Sequence, residues 1–167
     1  MIRHDLKGMV GGGAATMAEG PIKSYQEAAH KAGKNWKLGE NLAIGIFFHL
    51  ADSREQAIKE MTPFFEEHVK MFAPLGFVPG ISPAQVEAVA QRGNWAKAGV
   101  PTLEHFMKLG SWFAGTPQQL IEHLKTFESR YPGMETINLS TSLCTPQAVM
   151  LEQFQRVKED IMPAFGK

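Results

Sequence analysis

The spacing of apolar and polar positions changes period several times along the chain, and each change marks an element. Asn41 to His49 reads Asn-Leu-Ala-Ile-Gly-Ile-Phe-Phe-His, with apolar side chains on both faces. That pattern predicts a strand buried on both sides, as in a parallel sheet covered by helices. Thr136 to Thr141 instead alternates apolar and polar residues, which predicts a second strand. Around these strands the period is helical. Pro21 opens a helix presenting Ile22, Tyr25, Ala28, Ala29 and Ala32, and Gly33 stops it. Asp52 and Ser53 supply caps for the next, whose stripe is Ala57, Ile58, Met61, Phe65, Val69 and Phe72. Pro63 inside that stripe predicts a kink or a split.

Pro74, Gly76, Pro79 and Gly80 mark a loop. Ser82-Pro83 opens a short helix, Thr102 caps another, and residues 74–111 read as a helical insertion. Gly115-Thr116-Pro117-Gln118-Gln119 is the clearest local signal. Thr116 is a good N-cap, Pro117 suits the first helical position, and Gln119 completes a capping box. Leu120, Ile121, Leu124 and Phe127 form its buried stripe, ended by Tyr131-Pro132-Gly133. Thr145-Pro146 starts the final helix, with Val149, Met150, Phe154, Val157 and Ile161 inward. The cluster Gly8, Gly11, Gly12 and Gly13 makes residues 1–20 a glycine-rich leading loop. Helix, strand, composite helix, strand, helix is an α/β order with right-handed crossovers. Two strands are too few for a stable open sheet, so the pattern fits part of a larger α/β structure.

Composition narrows the class of partner. Of 167 residues 44% are hydrophobic, and 17 Lys+Arg balance 17 Asp+Glu to a formal net charge of zero. No basic excess suggests nucleic acid. The apolar run Leu42–Phe48 is too short to span a bilayer, and Met1–Gly13 lacks the apolar core of a signal peptide. Cys144, the single cysteine, cannot form an internal disulfide, which fits a cytoplasmic location. The six histidines show no H-x-x-x-H or H-E-x-x-H spacing, so no zinc site is expected. Cys144 has no neighbouring cation in sequence to make it a nucleophile.

Four stretches together carry a resemblance. Gly110-Ser-Trp-Phe-Ala-Gly-Thr-Pro-Gln-Gln-Leu-Ile-Glu-His-Leu124 resembles the "GTPEQ" helix start of luciferase-like flavin-dependent monooxygenases. Phe48-His-Leu-Ala-Asp-Ser-Arg-Glu-Gln-Ala57 follows a buried strand, and Ile137-Asn-Leu-Ser140 lies in a second one. Lys158-Glu-Asp-Ile-Met-Pro-Ala-Phe165 is similar to the family's terminal helix and its "E-x-x-P-x-F" close. The matches keep the family's order over most of residues 20–165. The resemblance implies a (β/α)8 barrel, a fold that takes about 250 residues. Residues 1–167 would then be one partial-barrel domain, its C-terminal part, with about two parallel strands. It also implies reduced FMN or the deazaflavin F420 at the C-terminal mouth, O2, a small-molecule substrate, a flavin reductase as electron supplier, and a homo-oligomer.

Three side chains are candidates for the site. His49 ends the first strand, where barrels place catalytic groups, and its imidazole could hydrogen-bond a flavin or move a proton. A histidine hydrogen-bonded at the rim of the core is the simpler reading of a lone imidazole without a partner motif. Asn138 and Ser140 share one face of the second strand and would line a barrel interior, touching substrate or cofactor, or else face solvent. Ser140, Thr141 and Ser142, leading into a helix near Thr145, read as an anion site or as ordinary turn and capping chemistry. Gly11-Gly12-Gly13 could approach a phosphate or simply belong to a loop. Trp112 and Phe113 could stack on an isoalloxazine ring, or pack against outer helices. The leading reading is a fragment of a flavin-dependent monooxygenase. The other is a non-catalytic α/β module that binds a small ligand or completes a barrel with another chain.

Overall fold

Nine residues, Leu42–Leu50, form a strand that every other strand among the described residues uses as its partner. In the computed structural model, which describes residues 1–4, 6–10, 15–78, 80–90 and 98–166, this strand is β2. The others are β1 (Gly8–Val10), β3 (Trp112–Gly115) and β4 (Thr136–Ser140). All three pair with β2 in parallel. β4 runs along one edge from Ala43 to Phe47. β1 pairs with Leu42–Ile44 and β3 with Phe47–Leu50. The Gly8 N–H donates to the Asn41 carbonyl, the Phe47 N–H to the Ser111 carbonyl just before β3, and the Ala51 N–H to the Gly115 carbonyl at its end. All three are odd positions of one run, so β1 and β3 share the second edge.

The helices are α1 (Ala15–Lys31), α2 (Arg54–Phe72), α3 (Pro83–Ala90), α4 (Leu103–Leu109), α5 (Pro117–Arg130) and α6 (Gln147–Arg156). α6 continues as a widened turn over Val157–Ile161 and a tight one over Met162–Ala164. Even-numbered β2 residues Leu42, Ile44, Ile46, Phe48 and Leu50 pack with residues of α1, α5 and the chain end. Call this the outer face. On the inner face, Ala51, Trp112 and Ala114 pack with α2, α3 and α4. Two layers of helix thus sandwich the C-terminal half of the sheet.

The expected α/β class and the parallel pairing of the two long strands are present, but the strand count rises from two to four. β3 has only four residues, buried on both faces, so it shows no alternation for a sequence reading to find. β1 lies inside the expected leading loop because Gly8 can sit against Leu42; a Cβ there would come within 2.8 Å of the Leu42 side chain. Gly11–Gly13 lie outside the described residues.

α1 begins before Pro21, which sits inside it. Its far end is as expected: Gly33 adopts φ 78°, and the Gly33 and Lys34 N–H groups close back onto the carbonyls of His30 and Ala29. Pro63 does not split α2. The proline and the Lys59 residue that loses its N–H partner are both exposed, so solvent can satisfy that carbonyl.

Ser53 and Thr102 cap α2 and α4 as expected. At α5 both halves of the capping box form: the Gln119 N–H donates to Thr116 Oγ1 (3.3 Å) and the Thr116 N–H to Gln119 Oε1 (3.0 Å). α6 departs from its expected stripe. Phe154 is 43% exposed, and the residue turned inward is Gln153, 1% exposed. Its amide accepts from the Leu50 N–H (2.6 Å) and donates to the Leu50 carbonyl (3.0 Å). β4 has ended by then, so this side chain stands where a neighbouring strand's peptide would be.

Two stability measurements check this account. Thr116→Ala should lower unfolding free energy in urea by about 1 kcal/mol, the usual worth of an N-cap. Gln153→Leu keeps the volume but leaves two buried backbone groups unpaired, so it should cost roughly 3 kcal/mol. A loss for Gln153→Leu no larger than that for Thr116→Ala would mean the Leu50 peptide finds another partner.

Candidate functional site

The strand register decides which candidates meet. Asn138 stands beside Gly45 and Ser140 beside Phe47. Side chains paired across parallel strands point the same way, so Asn138, Ser140, Phe47 and His49 all belong to the inner face. Its N-terminal half is open and built of small or polar groups. Thr136 and Asn138 are exposed, Ala43 and Gly45 are half-buried, and Met9 lies across Gly45. Its C-terminal half is roofed by α2.

His49 is under that roof, 4% exposed. Its Nε2–H donates to Glu60 Oε2 at 2.9 Å, and Gln56 Nε2 donates to Glu60 Oε1 at 2.8 Å. Those hydrogen bonds, His49 first and then Gln56, hold the Glu60 carboxyl below the usual carboxylate range. An imidazole oriented by a carboxylate can hold or pass a proton. Here α2 closes over it, and Phe64 lies 6.5 Å from its ring. Sequence reading missed Glu60; the i, i+4 spacing of Gln56 and Glu60 on a helix facing the end of β2 is the available signal.

A second histidine, His68, was also missed. Its ring lies 4.5 Å from Phe47, 4.6 Å from Phe72 and 5.0 Å from Trp112, centroid to centroid. The Leu143 N–H donates to His68 Nδ1 (3.4 Å), tying the loop after β4 to α2. Burial pushes its pKa down to about 4. Burial also lowers His123, whose Nε2 has no hydrogen-bond partner among the described residues.

Trp112 and Phe113 are committed to the two cores. Trp112 stacks on Phe47 (4.6 Å) and meets Phe65 edge-on, while Phe113 joins the outer core, stacking on His123. The loop after β4 is a turn in which Thr145 Oγ1–H donates to the Ser142 carbonyl at 2.8 Å. The residue before α6 is Pro146, which makes no side-chain cap, so the expected capping there is absent while the turn chemistry is present. Cys144 is exposed in this turn at φ 63°. Among the described residues no group of three metal-binding side chains occurs, and no helix is long and apolar enough to cross a membrane.

Solved structures share this architecture. The monooxygenase RslO1 from Streptomyces bottropensis matches over 99% of this chain and 44% of its own, with a TM-score of 0.66 at 17% identity. The oxygenating constituent of 3,6-diketocamphane monooxygenase from Pseudomonas putida, a type II Baeyer-Villiger monooxygenase in complex with FMN, matches over 86% of this chain and 38% of its own (TM-score 0.55, 17% identity). Flavoprotein 390 matches over 94% and 60% (TM-score 0.53, 13% identity). This chain shares its fold with part of these proteins. It spans less than two thirds of each. The first two are flavin-dependent monooxygenases of the luciferase-like type that the sequence resembles. No family model and no curated protein matches the sequence.

Burial of His68 makes stability depend on pH. Above pH 6.5 both folded and unfolded histidine are neutral, and nothing is lost. As pH falls from 6.5 toward 4 the unfolded chain takes up the proton and the folded one does not, so stability drops by about 1.4 kcal/mol per pH unit. Urea unfolding at pH 7 and pH 5 should differ by roughly 2 kcal/mol from this residue. His68→Phe should remove that part of the difference; an unchanged pH dependence would assign it to other groups.

Proposed function

We propose that this chain is the C-terminal part of a flavin-dependent, luciferase-like monooxygenase with a (β/α)8 barrel, acting in the cytoplasm on a small organic substrate. The observation that carries the reading is the match of 99% of the chain to 44% of RslO1, with a parallel sheet helix-covered on its outer face. Reduced FMN, when bound, would supply the electrons for oxygenation by O2, whereas F420 in its place would supply a hydride. A flavin reductase would keep it reduced.

The residues described do not enclose a flavin by themselves. His49 is engaged with Glu60 beneath α2, and Asn138 stands exposed on an open face. A barrel site is assembled from the loops after several strands, and this chain supplies few of them. Its contribution would be one wall: Asn138 and Ser140 as polar contacts on the inner face, with His49 behind them holding a proton against Glu60. A non-catalytic module that completes a barrel with another chain is the second reading, favoured by the closure of α2 over His49.

Fluorescence titration separates these from a self-sufficient enzyme. The purified chain should bind oxidised or reduced FMN and F420 weakly or not at all, because a few isolated contacts cannot offset the freedom a ligand loses. Micromolar affinity would overturn the partial-barrel reading. Flavin binding that arises when the chain is joined to, or mixed with, an N-terminal half-barrel and falls on Asn138→Leu would support the enzyme.

A further inference from the structure

An imidazole has two nitrogens, and in His49 they meet different surroundings. Nε2, the outer ring nitrogen, reaches α2 and donates its hydrogen to Glu60 Oε2 at 2.9 Å. Nδ1, the nitrogen nearer the backbone, has no hydrogen-bond partner among the described residues. Nor is it sealed. Among those residues His123 Nε2 is the one side-chain polar atom that is both buried and unpaired, so His49 Nδ1 keeps a small contact with solvent. A neutral imidazole carries one ring proton, and the proton given to Glu60 leaves Nδ1 with a bare lone pair. The carboxylate is itself held in place. Gln56 Nε2 donates to Glu60 Oε1 at 2.8 Å, and the Gln56 N–H donates to Ser53 Oγ at the α2 cap (3.1 Å). The hydrogen bonds from His49 and then Gln56 hold the Glu60 carboxyl below the usual range, so it is ionised at neutral pH.

We infer that Glu60 and Gln56 are positioning residues that make His49 Nδ1 the proton acceptor of the inner face. Asn138, Ser140 and His49 share that face, with His49 one inner position beyond the Phe47–Ser140 pair. The inference rests on the flavin reading for its substrate, and it narrows the class to molecules that react as their anions, phenols or enolisable ketones. A substrate hydroxyl against Nδ1 gives its proton to the ring, and the O–H electron pair stays on the oxygen as a phenolate or enolate. The ring becomes an imidazolium, still donating through Nε2 to an ionised Glu60, which stabilises the new charge. Release of the Nδ1 proton to water restores the starting state. The transfer moves one proton each way and consumes no oxidant or reductant. Glu60 does not touch the substrate in this arrangement; it acts by fixing which ring nitrogen is bare. Gln56 acts one step further back, by holding the carboxylate toward the ring.

The test is NMR of the full chain with ¹⁵N-labelled histidine, without flavin. Its outcome is therefore separate from the flavin titration, and failure of either leaves the other standing. At pH 7 the His49 ring should show a protonated Nε2 and a bare Nδ1. On acidification the proton should enter at Nδ1 while the chain is still folded and the Nε2–H stays in place. Glu60→Gln still offers an amide oxygen to Nε2–H and should keep the tautomer. Glu60→Leu offers no acceptor and should give a mixture of the two tautomers. Gln56→Leu should keep the tautomer but raise the titration of the Glu60 carboxyl, because one of its hydrogen bonds is gone. Glu60 and Gln56 are both exposed, so circular dichroism should show each variant folded. A wild-type ring protonated on Nδ1 at pH 7, an Nδ1 that stays bare until the chain unfolds, or a folded Glu60→Leu with an unchanged tautomer would overturn the proposal.

Discussion

The hydrogen bonding of β2 is the constraint on which the rest of this structure depends. Among the described residues one strand of nine serves three partners, and none of those partners pairs with another. Its peptide groups are buried, so each unpaired one would cost on the order of 1–3 kcal/mol. β1 covers the start of one edge and β3 its end, while β4 covers the other edge only as far as Phe47. Beyond that point Gln153 supplies an amide that donates and accepts as a peptide would. This pairing of side chain with backbone spans 103 positions in sequence and seats α6 on the outer face. The Phe154 ring beside it stays half out, opening the groove along β4.

The two faces of the sheet have separate fates. The outer one is closed by an aliphatic and aromatic core under α1, α5 and the chain end. The inner one is half roofed: α2 and α4 bury Trp112, Ala114 and Ala51, while Asn138 and Thr136 remain exposed. A carboxylate from the roof takes up His49, and a histidine from the roof accepts from the loop after β4. α2 therefore organises the chemistry of the inner face without being part of the strand–helix alternation that builds the outer one.

Much of this was legible in the sequence because it rests on local rules. The β2 and β4 patterns follow from burial on two faces and on one, and the α5 capping box is set by three neighbouring residues, Thr116, Pro117 and Gln119. Gly33 ending α1 is equally local. That Asn138 and Ser140 share a face follows from the strand period alone. The resemblance to flavin-dependent monooxygenases lay in the order of four short matches.

Tertiary structure decided what these rules leave open. The strand character of Gly8–Val10 and Trp112–Gly115 exists because β2 offers them an edge; a three- or four-residue run has no period of its own. Pro63 stays within a continuous helix because it and Lys59, whose carbonyl loses its partner, lie on the exposed side of α2. Register brought His49 onto the face of Asn138 and Ser140, and the packing of α2 then withdrew it toward Glu60. Gln153 looks like one polar residue on an amphipathic helix until a buried peptide 103 positions away needs a partner. Local pattern determines which residues turn inward together. Which backbone groups remain to be satisfied, and from where, is settled only when the strands have met.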